Sequence, residues 1–418
     1  MEAVEQRLRS LSITQRVRLR DSAYLLDVTL QPGSSPCSSG SVLAVACSDH
    51  RLHLHHKETL RQLGEYRGHT APVCGVTFGH ASPDLLISGS EDGTVRAWDV
   101  RRPGSAGAVQ EFRGDPTHRY ASVDVNASDV VVCAGTELLD EDSFLVFWDA
   151  RSPATAGGKG RPLGVYSESH SDDVTRVRFH PWDKDRLATG GADGLVNVFD
   201  LRQGSEDEAL LATCNAGDSV AEVRWAGHRS DRLLCLTHGE GLHYWDLGRL
   251  DTEEPLALYG VPDARRLTPP KGGHSVDYLV GAQWLQEAQR LLVLGGTSEG
   301  DLHLMECTEG GLQPLGSLPR GAGHTAVVRC FLWDEAGEGV LVTGGEDAQL
   351  LLWKPGGAEP TLAGRQATMK SPSALKLDLH KCHRYQGRHG GRERSAGGGG
   401  GGEKRGEERG GGSAWKNH

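Results

Sequence analysis

Seven times along this chain the same short pattern returns, and a repeat at that spacing limits the fold more than any single residue does. Aligned on a terminal aromatic, SGSEDGTVRAWD, LLDEDSFLVFWD, TGGADGLVNVFD, THGEGLHYWD and TGGEDAQLLLWK form one set. Two degenerate copies join them, ACSDHRLHLHH near the start and GGTSEGDLHLME at 295–306. In each, an acidic or turn residue precedes the terminal position by six: Asp49, Asp92, Asp142, Asp193, Gly239, Glu299 and Asp347. Their separations are 43, 50, 51, 46, 60 and 48 residues. Upstream of the anchors lie alternating segments such as PVCGVTFGH, VTRVRFHP, SVAEVRWAG and VVRCFLWDE, then short apolar runs such as LLISGS, LATGG and LVTGG. Alternation with β-branched and aromatic residues, bounded by Gly, Pro and Asp, is strand patterning.

Units of this length made of four short strands predict an all-β chain, a single seven-bladed β-propeller, with repeat ends near 55, 98, 148, 199, 245, 305 and 353. Glycine, 57 of 418 residues, supplies the many tight turns such a chain needs. The predicted propeller spans 13–362, after an N-terminal extension of 1–12. The opening MEAVEQRLRSLSITQRVRLR suits a short amphipathic helix before a strand better than a mitochondrial presequence, and it lacks the apolar stretch of a secretory signal. No apolar run approaches about 18 residues, so no membrane partner is expected.

The strings SGSEDGTVRAWD and TGGEDAQLLLWK, each with a His upstream, resemble the WD-repeat family over about 14–362. The resemblance implies a buried hydrogen-bonded chain of His, Ser or Thr, Asp and Trp in each complete blade. The matching residues are His69, Ser88, Asp92 and Trp98 in the second blade, and His324, Thr343, Asp347 and Trp353 in the seventh. The fourth has His170, Thr189 and Asp193, but Phe199 replaces Trp. The fifth and sixth depart further, with Gly239 and Glu299 for Asp and Met305 for Trp. A Ser, His and Asp that superficially suggest a hydrolase are therefore read as scaffold, because nucleophiles do not come in serial copies. No catalytic residue, cofactor or metal is expected. The resemblance also implies that Ile13–Arg20 forms the outer strand of the seventh blade and closes the ring.

Candidate partner contacts come from three places. Arg101, Arg151 and Arg202 each follow [Trp/Phe]-Asp-x in consecutive repeats. In WD-repeat receptors of cullin-4 ubiquitin ligases such an arginine contacts the ligase's adaptor, so the resemblance makes that adaptor a candidate partner; a solvated turn residue pairing with Asp99 or Asp149 is the plainer reading. His118, Arg119 and Tyr120 form a basic and aromatic cluster expected at the channel face, although Tyr120 also suits the start of a core strand. Glu91, Asp172 and Glu346 are expected to make that face acidic, as solvated loop charges or as a site for a basic partner. Trp182 in HPWDKD is expected to pack locally.

The net charge of −11 conceals two parts. From Arg365 to His418 there are 12 Lys/Arg and 5 Asp/Glu, a net of +7, so the remainder carries −18. The Gly-rich basic tail, 363–418, cannot bury apolar surface and is expected to be disordered. It alone has the charge to track nucleic acid or to direct nuclear import. Within it His380, Cys382, His383 and His389 lack zinc-ligand spacing. Nine cysteines with no CxxC read as reduced thiols of an intracellular, cytoplasmic or nuclear protein. The expectation is a non-catalytic protein-interaction scaffold, acting as a monomer within a larger complex. Its alternatives are a cullin-4 substrate receptor and a nuclear or RNA-associated assembly factor.

Overall fold

The computed structural model describes residues 2–356 except 20–22, 34–38, 103, 105–106, 152–160, 249–254, 267–274, 319–322 and 337–338. The tail and its expected roles lie outside the described residues. The chain forms seven four-stranded antiparallel sheets arranged as the blades of a β-propeller. Strands a to d of each blade follow one another in sequence. Blade 1 spans 25–66, blade 2 73–113, blade 3 120–166, blade 4 176–215, blade 5 220–261 and blade 6 278–317. Blade 7 takes strands a to c from 328–355 and its outer strand from Leu11–Arg18. Each repeat ends on strand c, so the sequence unit and the blade are offset by one strand; the outer strand of one blade opens the next repeat.

The closing strand is tied in along its length. Leu11 pairs with Pro355, Ile13 with Trp353 and Val17 with Leu350, with one bulge between Ile13 and Gln15. Beyond the strand, Leu19 N donates to Ala348 O at 2.8 Å and Gly356 N to Ser10 O at 3.0 Å. The preceding helix, Glu2–Arg9, lowers Leu8 into the same apolar cluster as Leu11, Ile13, Trp333, Leu351 and Trp353. The first residues of the chain are thus core of the last blade.

Alternation places one apolar row of each sheet against each neighbour, giving a series of thin cores between blades. A polar clasp fixes every seam on the face that carries the a–b and c–d turns, here the lower face. Gln31 Nε2 donates to Pro83 O, Asp129 accepts from the backbone of His80, Ala81 and Ser82, and Asn126 donates to Lys184 O. His180 Nε2 meets Ser230 O, Gln286 Nε2 donates to His228 O, and Glu335 accepts from Gln286 and Glu287 N. Lys57 and Asp334 close the circle at 2.9 Å between blades 1 and 7.

Removing residues 1–20 strips strand c of blade 7 of its partner and exposes Leu351 and Trp353. Loss of Leu8, Leu11 and Ile13 alone costs at least about 5 kcal/mol, from about 1.5–3 per side chain. The truncated chain is expected to melt well below the intact one, or to aggregate; an unchanged melting temperature would contradict the closure.

Candidate functional site

The polar chains are present where the residue types allow them. In blade 2 the Trp98 indole N–H donates to Ser88 Oγ at 2.9 Å, and Ser88 Oγ lies 2.8 Å from His69 Nε2. His69 Nδ1 lies 3.0 Å from the Asp92 carboxylate, which also accepts the Thr70 N–H. A carboxylate only accepts, so Nδ1 carries the proton and Nε2 receives the one from Ser88, a tautomer assigned from the network. Blade 7 repeats the geometry: Trp353 to Thr343 at 2.9 Å, Thr343 to His324 at 2.8 Å, and His324 to Asp347 at 3.0 Å. In blade 4 His170 bridges Thr189 at 2.8 Å and Asp193 at 3.0 Å, while buried Phe199 offers no indole donor. Ser88 is 0% exposed, so no substrate reaches its oxygen.

The hydroxyl position shows why the other blades lack the chain. Register places Val45, Ala134, Cys235 and Gly295 where Ser88, Thr189 and Thr343 stand. In blade 3 the Trp148 indole N–H turns instead to Arg113 O at 3.2 Å. His118 there stacks on Phe144 with ring centroids 4.9 Å apart, and its Nδ1 has no hydrogen-bond partner among the described residues.

The charges of the chains follow from burial and bonding. Burial lowers the pKa of His69 despite the hydrogen bond to Asp92. Burial pushes the Asp347 carboxyl up, but the His324 hydrogen bond and charge outweigh it and hold it at about 2. Asp92 and Asp193 lie below the ordinary range for the same reasons.

The three candidate arginines sit on the lower face. Arg101 Nε and Nη2 grip the two Asp99 oxygens at 2.8 and 2.9 Å, Arg151 grips Asp149 at 2.9 and 2.8 Å, and Arg202 grips Asp200 at 2.7 and 2.5 Å. These forks hold Asp99 and Asp149 at about 2. The guanidinium groups remain largely exposed. In the a–b turn of blade 4, Trp182 is 71% exposed, which corrects the expectation of local packing: the His180 ring that receives its backbone N–H packs against Trp225.

The upper face corrects a second expectation. Tyr120 is 0% exposed and His118 is buried, because Tyr120 begins strand a of blade 3 and its ring packs edge-on to Trp148. Neither offers surface to a partner; Arg119 does. Glu91 and Asp173 crowd the partly buried Glu137, whose pKa rises through burial and these like charges. Asp172 accepts its neighbour's N–H at 2.8 Å, and Glu346 is paired with Arg329.

Sequence reasoning singled out no metal donors in the propeller, yet Cys47, Asp49 and His53 bring their ligand atoms within 4.8 Å of one another. Asp49 already accepts the Arg51 N–H at 3.2 Å with the Arg51 Nε at 3.6 Å, so the hairpin engages its own carboxylate. Sequence reasoning also passed over Arg176 and Arg178 on strand a of blade 4 and Arg224 on strand a of blade 5, which line the axial channel. Arg-x-Arg inside an inner-strand pattern was the available signal.

With a seven-bladed ring and His–Ser/Thr–Asp–Trp chains in place, comparison with known sequences adds that the WD domain, G-beta repeat, matches residues 60–99 and 160–200. Two of the repeats in this seven-bladed propeller are thus similar to WD repeats. Each matched segment runs from an outer strand to the next strand c, the offset described above. The chain is 26% identical over 333 residues to the WD repeat-containing protein 89 homolog of Dictyostelium discoideum, covering 80% of this chain and 83% of that one. The strings HSDDVTRVRFHP and GLVNVFD are ones that resemble protein 89. It is 28% identical over 326 residues to the WD repeat-containing protein GTS1 of Arabidopsis thaliana, 75% and 78% of the two chains. A 237-residue match to the GATOR2 complex protein WDR24 of Danio rerio is 28% identical and covers 56% of this chain and 26% of that protein.

Ser88→Ala leaves the Trp98 N–H and His69 Nε2 without partners and is expected to cost about 1–3 kcal/mol, read as a lower urea midpoint. Acid acts through two sets of groups. His69, with a folded pKa below 6.5, binds its proton more readily unfolded, so stability falls as pH drops below 6.5. Asp347, depressed from 3.8 to about 2, contributes fully above 3.8, and that contribution is lost as pH falls through 2. A melting temperature that rises between pH 7.5 and 5.5 would contradict this assignment.

Proposed function

We propose that this chain is a non-catalytic platform that docks other proteins on the lower face of blades 2–4. The carrying observation is an exposed Trp182 in the a–b turn of blade 4, on the same face as Arg101, Arg151 and Arg202. Trp and Arg are the side chains most often decisive at protein interfaces. Rigid strands beneath, tied seam to seam, present these turns without reorganisation. The name of the relative WDR24 places that protein in a complex, which supports the same class of role here. Described cysteines are all free, and burial pushes the thiols of Cys214 and Cys307 up to about 12, which fits a reducing intracellular setting.

A second reading is docking to the cullin-4 adaptor. Its support is the identical fork in three consecutive blades, each guanidinium held by the aspartate two residues before it. Water screens an exposed pair of this kind, so a competing carboxylate can take the arginine at small cost.

Affinity purification of the tagged full-length chain from cells separates the readings. Loss of most partners on Trp182→Ala, with the fold intact, supports the platform. Loss of the cullin-4 adaptor in Arg101→Ala/Arg151→Ala favours the receptor. Partners retained in both variants would overturn the lower-face assignment.

A further inference from the structure

The propeller axis carries a cavity of about 410 Å³ lined by the inner strands of blades 4, 5, 6, 7 and 1. A volume in this range suits small-molecule sites of about 300–1,000 Å³. Its wall is charged, although inner strands of a small ring are more economically lined with apolar or small residues. Arg176 and Arg178 project from blade 4, Glu222 and Arg224 from blade 5, Asp27 from blade 1 and Arg329 from blade 7.

Four arginines face three carboxylates, Asp27, Glu222 and Glu240, and their pairing is uneven. Glu222 is held by Arg224 at 2.6 Å, and Arg329 by Glu346. Asp27 is occupied by backbone, accepting from Val28 N at 2.9 Å and from Val76 N of the next blade at 3.2 Å. That leaves Arg176 bonded to Ala221 O at 2.8 Å and Arg178 to Val177 O at 3.2 Å. Among the described residues, neither has a carboxylate within ion-pair distance. Burial, then the like charge of Arg178, disfavours the charged form of Arg176. Two guanidinium groups side by side, which Glu222 and Asp27 reach only from beyond ion-pair distance, leave donors that an anion of matching shape can take.

We propose that the axial channel binds a small, multiply charged oxyanion of the phosphate class, gripped by Arg176 and Arg178 with Arg224 at its side. Planar guanidinium forks match phosphate oxygens two at a time, and two forks on one strand spaced i, i+2 favour a ligand with at least two phosphate groups over a single one. The inference stands apart from protein docking on the lower face and does not rest on it.

Isothermal titration of the full-length chain with pyrophosphate, at fixed ionic strength, tests it. Saturable binding is expected, weaker for inorganic phosphate. Arg178→Gln is expected to weaken pyrophosphate binding at least about tenfold, the loss of one charge-assisted contact. Arg176→Gln keeps a donor for Ala221 O and is expected to do the same. Without ligand, Arg176→Gln should not melt below the wild type, since it removes a cation whose charge burial disfavours. Arg101→Ala, on the lower face, should bind as the wild type does. Absence of saturable pyrophosphate binding, or equal binding by the wild type and both channel variants, overturns the proposal.

Discussion

Ring closure is the constraint from which the rest of this molecule follows. Each blade is a twisted sheet of four short strands whose apolar faces are buried only when a neighbour stands on either side. An open array would leave two faces and two edges in water. The chain resolves this by lending its first strand to its last blade, so that Leu11–Arg18 and Gln349–Pro355 become one sheet. Loss of one end is therefore a loss to the whole ring. The polar clasp at each lower-face seam adds direction to this apolar packing, because a backbone carbonyl or N–H accepts a partner only at one register.

Within that ring the His–Ser/Thr–Asp–Trp chains fix individual blades, and their uneven distribution shows how replaceable they are. Blades 2 and 7 hold complete chains, and blade 4 lacks only the indole. Where the hydroxyl gives way to Ala134 or Gly295, neighbouring side chains fill the space: the Trp148 indole finds a carbonyl, and Met305 and Val276 close over Gly295. Blade 7, which joins the two ends of the chain, retains a full set.

The fold was legible because its signal is serial. An acidic or turn residue six positions before a terminal residue that is aromatic in most copies, repeated seven times, locates strand c in every blade, and alternation locates strand a. The closing strand was expected at Ile13–Arg20 from the family resemblance, and the structure places it at Leu11–Arg18. Trp182 was misjudged because alternation says that a side chain has a side, not which of two surfaces is covered, and the same ambiguity left Tyr120 open between a channel-face contact and the start of a core strand. Tyr120 falls on the side that meets Trp148, and Trp182 sits in a turn beyond the sheet. The axial arginines were hidden differently. On an inner strand, residues i and i+2 share a face, and only closure of the ring turns that face into a channel wall.

The functional account places protein contacts away from the buried hydroxyl chains that first attract notice, on turns held by the strands beneath them. Hydrogen–deuterium exchange of the chain, free and within its isolated native complex, tests that placement most directly. Slowed exchange at 99–102, 149–151 and 180–186 in the complex, with the loops around Glu91, Glu137 and Asp172 unchanged, is the predicted result. Slowed exchange confined to those upper loops, with the lower turns unaffected, would contradict it.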